Sequence, residues 1–543
     1  MEDSKKNILQ SEIFWLILAV TAVLVKRLLL SPYGINREAA IEMEAIFLAL
    51  DGKVIYRDFF WYHGFLPIYW HALMFKLFNP EMYYLRFFVT CFAGIACAFA
   101  FKIARFFLQP PLACIAAILG FTGLIIPEHV TGTMPAICFF IIFIFYLLKY
   151  CDSSESKYMF FAGIFGGLVS GFQVLPLGLL VLMAGVFSSF GFFVFAQRPF
   201  LTNLKKFLFG FAVFPTLLYG TLAIWVPLND LFRNLFPIFF GYEKVASSIH
   251  KFPFPSLFPS LDFSGGISAI VANLNRYLII DFRWWLIIIV FLVGLWIFFQ
   301  DWKQEKFPKK NILIFGVLVL FGPLMQTKFL LYNGRLGLTP NYINMLPTFV
   351  LLFTLICRFG RRQWATGIGI IFLFIYFFYP ATKYYFYFST NAIPLGMPYS
   401  TKIKVSPYKE ELYRKTVETI QAKSQESDKI AFAGINRYYS IFSGRHDVFR
   451  DNILAFTRTS FYAPQVGISL NAIEYEKEII QKIEDGKPKL ILFPETLEKN
   501  APKGNWPFIH FIEDRWVNIT QFGDIKKINP YEYESPILIY TPK

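Results

Sequence analysis

From Arg37 to Phe78 the chain reads REAAIEMEAIFLALDGKVIYRDFFWYHGFLPIYWHALMFKLF. Glu38, Glu42 and Glu44 precede an apolar helical run, Asp58 sits in YRDFF, and His63 and Gly64 follow it. Ionisable groups beside apolar helices at a membrane surface are costly unless they are paired or used. A carboxylate held near a water-excluded pocket has its pKa raised and can serve as a general base. Glu42 and Glu44 read as the wet face of an interfacial helix. Asp58 fits either the N-cap of a helix starting at Phe59 or a catalytic group. Glu38 fits equally a first-turn acid favoured by the helix dipole or a base. His63 is a further candidate for a functional role.

The sequence on either side of this stretch is that of a membrane protein. Of 543 residues, 56% are hydrophobic, 20% aromatic and 16% charged. Soluble domains are about 45–50% apolar and about 25% charged. Disordered chains, collagens and nucleic-acid-binding domains are excluded. A span needs about 20 mostly apolar residues. Eleven stretches qualify: 12–30, 84–104, 111–127, 134–150, 158–174, 176–196, 207–227, 283–300, 311–326, 341–357 and 366–383. The fifth and sixth form one long apolar stretch, divided at Pro176.

The net charge of +15 comes largely from short loops between these runs, so it orients helices and implies no nucleic acid partner. With a cytoplasmic N-terminus, the inner segments collect Lys5, Lys6, Lys102, Arg105, Lys149, Lys157, Arg198, Lys205 and Lys206 among others, while the outer loop 128–133 has no Lys or Arg. The positive-inside rule then predicts N-in, C-out, with an uncleaved first span. Lys26 and Arg27 near the outer end of that span run against the rule and are expected to snorkel. The outer side receives residues 31–83, 228–282 and the tail 384–543.

The tail, a second domain after a membrane domain of residues 1–383, reads as α/β. Helices are expected at 408–425 and 472–483, and short strands at 429–433 (KIAFA), 489–493 (KLILF) and 536–540 (PILIY). No cysteine follows Cys357, so the tail has no disulfide, and no CxxC pattern occurs anywhere. Asn518-Ile519-Thr520 matches a glycosylation sequon by pattern alone.

The first outer loop resembles that of the GT-C superfamily of membrane glycosyltransferases, in particular the family-39-like protein O-mannosyltransferase and aminoarabinose-transferase group. In that group the loop opens with Asp-Glu, runs through an amphipathic helix ending in Gly, continues with YRDFF and closes on FKLFG. Here Glu38, Asp51-Gly52, Tyr56–Phe60 and Phe75–Phe78 stand in those places. Counting back from Asp58 puts Glu38 at the family's catalytic Asp, one methylene longer. The resemblance extends to the glycine-rich pair at 158–196, where Gly163, Gly167 and Gly171 recur every four residues and allow close packing. Gln173 stands where the family often has Lys. Thr133 precedes Met134-Pro135 where the family often has Asp; Glu128 and His129 lie slightly earlier, and Glu128 is the candidate substitute for that Asp. GRLGLTPNYINMLP at Gly334–Pro347 resembles a late outer segment and supplies Arg335, near Lys328, but lacks the customary His. YYSIFSGRHDVFR at Tyr438–Arg450 resembles the appended soluble domain.

The resemblance implies a polytopic helical membrane protein with a C-terminal extracytoplasmic α/β domain, set in a bacterial inner membrane. It implies sugar transfer from a polyprenyl-phosphate donor to a lipid, glycan or protein acceptor. Glu38 would be the general base. Asp58, Arg57 and His63 would position the acceptor or hold the loop, with Glu128 and His129 nearby. Lys328 and Arg335 would meet the donor phosphate; Arg suits it through bidentate contacts. No metal ligand set is visible, though scattered carboxylates could bind a divalent cation. A lipid-linked oligosaccharide flippase would place charges inside the spans, and these spans carry few. A scaffold that kept the fold without activity would show departures such as Glu38, Gln173 and Thr133.

Overall fold

The computed structural model describes residues 11–35, 37–59, 61, 64–106, 108–119, 133–172, 177–196, 199–235, 379–432, 438–448, 480–494, 507–521 and 537–543. The expected spans 283–300, 311–326 and 341–357, most of the span 366–383 and most of the loop 228–282 lie outside these residues.

Four described helices are long and apolar enough to cross a membrane: Glu12–Leu30, Met82–Ala104, Met134–Ser153 and Phe200–Trp225. They are α1 (Glu12–Leu30), α4 (Met82–Ala104), α6 (Thr133–Ser153) and α9 (Phe200–Trp225). At about 1.5 Å per residue, the 19 residues of α1 reach across a hydrocarbon core of about 30 Å. Between them lie α5 (Pro110–Leu119), α7 (Lys157–Phe172) and α8 (Leu177–Ala196), shorter than the sequence suggests within the described residues. The chain is a multi-pass membrane protein. The start of α9 differs from expectation: it begins at Phe200, seven residues before the predicted span, and so carries Lys205 and Lys206 on its first turns.

The glycine stripe of α7 fixes the bundle. A side chain on Gly163 would strike the carbonyl of Phe207, one on Gly167 the carbonyl of Phe211, and one on Gly210 of α9 the carbonyl of Phe160. The two helices therefore lie backbone to backbone and run parallel, with Gly163 beside Gly210 and Gly171 beside Leu218. Pro215 inside α9 removes one helical hydrogen bond. It faces Gly167, so the stripe accommodates its ring.

The first loop folds as two helices, α2 (Arg37–Leu50) and α3 (Leu66–Leu77), and docks onto the end of α7. Gly64 lies so close to the Gly171 and Phe172 backbone that no Cβ fits. Trp61 is fully buried and donates its indole N–H to the Gly64 carbonyl at 3.2 Å.

The tail begins with α11 (Tyr379–Asn391), one helix after the short α10 (Leu228–Leu235) among the described residues. A small pair, β1 (Ile393–Pro394) and β2 (Lys404–Val405), precedes α12 (Pro407–Lys423), which Ser406 caps by accepting the Lys409 amide. The main sheet has the order β4-β3-β5-β7-β6: β3 (Lys429–Phe432), β4 (His446–Asp447), β5 (Leu490–Pro494), β6 (Trp516–Gln521) and β7 (Ile537–Pro542). β3 pairs parallel with β4 and β5, and β7 antiparallel with β5 and β6. The three expected strands are its interior members. The helices α13 (Tyr438–Ser443) and α14 (Pro507–Arg515) complete the described tail, and residues 480–486 are helical within the expected 472–483.

Tail and loop share one hydrophobic core, in which Ala39, Ile46, Trp61 and Ile68 join Tyr413, Tyr439, Ile430 and Leu490. Replacing Gly167 with Leu forces α7 away from α9. Overpacking of this kind costs roughly 1–3 kcal/mol. Purified Gly167→Leu protein is expected to unfold at a lower temperature than wild type, whereas Gly220→Leu, at a site with open space, leaves the midpoint unchanged.

Candidate active site

The segment Ser31–Ile35 joins α1 to α2 and has no regular partner of its own. Its backbone is satisfied from two sides. Arg86, 2% exposed on the first turn of α4, donates to the carbonyls of Ser31 at 2.6 Å, Tyr33 at 3.2 Å and Gly34 at 2.8 Å. From the tail, Lys404 donates its amide to the Pro32 carbonyl at 2.6 Å and accepts the Gly34 amide at 2.8 Å. The buried Lys409 ammonium donates to the Ile35 carbonyl at 2.8 Å. The N-terminus of α2 is thereby held at the junction of bundle and tail.

Glu38 is the second residue of α2, where the dipole favours an ionised carboxylate. Its side chain lies outside the described residues. Glu42 stands one turn on, sharing a helix face with position 38. Glu42 and Glu44 are 3% and 4% exposed. The expectation of a wet interfacial face is overturned, because α2 is covered by α3 on one side and by α13 of the tail on another. Buried carboxylates need partners; both residues make polar or electrostatic contacts.

Lys26 and Arg27 are likewise buried, at 6% and 5% exposure, and do not snorkel. With Arg86 they place three cations at the C-terminal end of α1 and the N-terminal end of α4. Arg27 Nε and Nη1 are buried without a hydrogen-bond partner. Sequence reasoning missed Arg86; the signal was an arginine inside an otherwise apolar run, MYYLRFF.

Asp58 does not cap a helix at Phe59, since α3 starts only at Leu66. Its Oδ2 accepts the Val54 amide at 2.7 Å and closes the turn 54–58. Arg57 grips the same carboxylate with Nε at 2.9 Å and Nη2 at 2.8 Å. This bidentate contact, with help from the Val54 amide and against some desolvation, holds the Asp58 carboxyl down at about 2. Arg57 is 41% exposed, so solvent weakens the ion pair itself. Tyr56 adopts φ 68°, an unusual conformation for an aromatic residue. Its amide donates to Phe59 and its ring is buried, which pushes the phenol well above its ordinary pKa. His71 on α3 is 2% exposed and held neutral, because burial lowers its imidazole to about 3.

Glu38 thus opens α2, while Arg57 and Asp58 form the turn that follows its far end. His63, Glu128, His129, Lys328 and Arg335 lie outside the described residues, as does Gln173. Among the described residues no three His, Cys, Asp or Glu side chains converge as metal ligands would.

With loop, bundle and tail in place, the architecture can be compared with solved structures. ArnT from Cupriavidus metallidurans in the apo state superposes with a TM-score of 0.53 at 11% identity, over 97% of this chain and 97% of that one. The two chains share a fold. The same ArnT bound to undecaprenyl phosphate matches this chain at 0.51 and 10% identity over the same shares. The oligosaccharyltransferase of Archaeoglobus fulgidus in the apo form matches it at 0.51 and 10% identity, over 91% of this chain and 70% of that one. No family model matches the sequence, nor does any curated protein. At such identity the likeness lies in the fold.

The Asp58 turn yields a prediction. A carboxylate whose folded pKa is depressed stabilises above its unfolded pKa, about 3.9, and loses that contribution as pH falls through the folded value. Hydrogen–deuterium exchange at neutral pH is expected to show faster uptake at the Val54 amide in Asp58→Ala than in wild type. In wild type the turn keeps its protection until the pH drops well below 4 and toward about 2.

Proposed function

We propose that this GT-C-fold protein transfers a sugar from a polyprenyl-phosphate donor to an acceptor hydroxyl on the outer face of a bacterial inner membrane, with its N-terminus in the cytoplasm and its tail, from about residue 384, outside as a separate domain. The acceptor is a lipid, a glycan or a protein. The observation that carries this reading is the fold match to ArnT over 97% of both chains. The ArnT structure with undecaprenyl phosphate motivates the lipid-phosphate donor.

In this reading the acceptor oxygen attacks C1 of the sugar, the bond between C1 and the phosphate oxygen breaks, and the polyprenyl phosphate leaves. The proton of the acceptor passes to Glu38, and the anomeric centre inverts. Glu38 suits the base because a first-turn carboxylate is ionised and ready to accept. Asp58, held near 2, is too weak a base for that step; it shapes the loop, with Arg57 and His63 positioning the acceptor. Glu128 and His129 are further candidates for binding substrate. The leaving phosphate needs cations in a dry site, where electrostatic stabilisation weighs heavily. Lys328 and Arg335 fill that role. Arg27 is a third cation, and its buried guanidinium has donors to spare among the described residues. A divalent cation on the acidic residues is compatible with this scheme.

Glu38→Gln is expected to lower transfer from a radiolabelled polyprenyl-phosphate sugar by about 10²–10⁴-fold, the usual scale for losing a general base. Donor retention on the purified protein should stay at the wild-type level. Unchanged transfer by a folded Glu38→Gln protein refutes the assignment of the base, and no transfer by wild type to any membrane acceptor refutes the activity.

A further inference from the structure

The bundle carries a second basic site, at the end away from the loop. Gly171 and Leu218 lie beside the loop residue Leu66, so the starts of α7 and α9, which run parallel, lie at the opposite membrane face. There a cleft of about 470 Å³ is lined by Lys157, Phe160, Lys205, Lys206 and Phe209.

Three ammonium groups converge on this cleft with little to neutralise them. Lys157 pairs with Glu155, and Lys206 donates to the Ser156 hydroxyl. Lys205 is exposed and makes no hydrogen bond or ion pair among the described residues. The cleft lining itself contains three lysines and no acid, so cations remain in excess. The rest of the lining is aromatic. Phe160 and Phe209 stack with centroids 6.0 Å apart and planes inclined by 24°. Phe209 is 69% exposed, and Leu201 and Leu208 beside it are exposed as well. This apolar surface lies along α9, a membrane-spanning helix, so its natural solvent is an acyl chain.

We propose that this cleft binds an anionic phospholipid of the leaflet opposite the first loop, its phosphate among Lys157, Lys205 and Lys206 and one acyl chain on the Phe160–Phe209 ledge. A cationic head and an apolar ledge side by side match both halves of such a lipid. Basic pockets between membrane helices recognise anionic headgroups by this combination. The site is independent of the sugar-transfer reading and stands whether or not that reading holds.

The test uses the full-length protein in nanodiscs of phosphatidylcholine and phosphatidylglycerol, with retained lipids counted by native mass spectrometry after release. Wild type is expected to enrich phosphatidylglycerol about tenfold over its share of the bilayer, the scale of one or two unscreened lysines. Replacing Lys157, Lys205 and Lys206 together with Gln should return retention to the bulk ratio, and Phe209→Ala should lower it. Should the triple variant not fold, Lys205→Gln alone is expected to lose part of the enrichment. Enrichment unchanged in the folded lysine variants overturns the proposal. So does release of the lipid by millimolar inorganic phosphate, which would mark a site for the free anion.

Discussion

Five residues of irregular backbone, Ser31 to Ile35, sit where a membrane helix ends, and their polar groups must be satisfied away from bulk water. Arg86 supplies three hydrogen bonds from the bundle, and Lys404 and Lys409 supply the rest from the tail. This double grip holds the start of α2 and ties the tail to the loop. Without the tail the carbonyls of Pro32 and Ile35 lose the donors that hold them, and a buried backbone group without a partner costs about 1–3 kcal/mol.

The charges on this face differ in burial. Lys26, Arg27 and Arg86, at the ends of α1 and α4, are buried, and so are Glu42 and Glu44 of α2. Arg57 and Asp58 are partly exposed and neutralise each other. Buried cations beside a helix N-terminus favour negative charge, whether from a side chain or from a phosphate.

Much of this was legible in the sequence, because the strongest signals are those of simple periodicity. The apolar runs gave α1, α4 and α6 within a few residues, and KIAFA, KLILF and PILIY gave the interior strands. The four-residue glycine spacing marked α7 for close packing, though not α9 as its partner. What the sequence did not reveal depends on residues far apart in the chain. Glu42 and Glu44 look solvated until α13 is seen to cover α2. Lys26 and Arg27 look like snorkelling residues until their burial is seen. Asp58 resembles a helix cap because its residue type suits one, yet the left-handed Tyr56 turns the chain the other way. The strand β6 was missed because WVNITQ is half polar, as suits an edge strand with one exposed side.

The grip on the loop also has a bearing on biogenesis. Lys409 meets Ile35 across 374 positions of sequence, Tyr438 meets Met82 across 356, and Thr401 meets Glu81 across 320. During synthesis the first loop therefore emerges long before the segment that seals it. A nascent chain holds its acidic helix unsealed until the tail has been made, and a chain terminated before the tail never seals it.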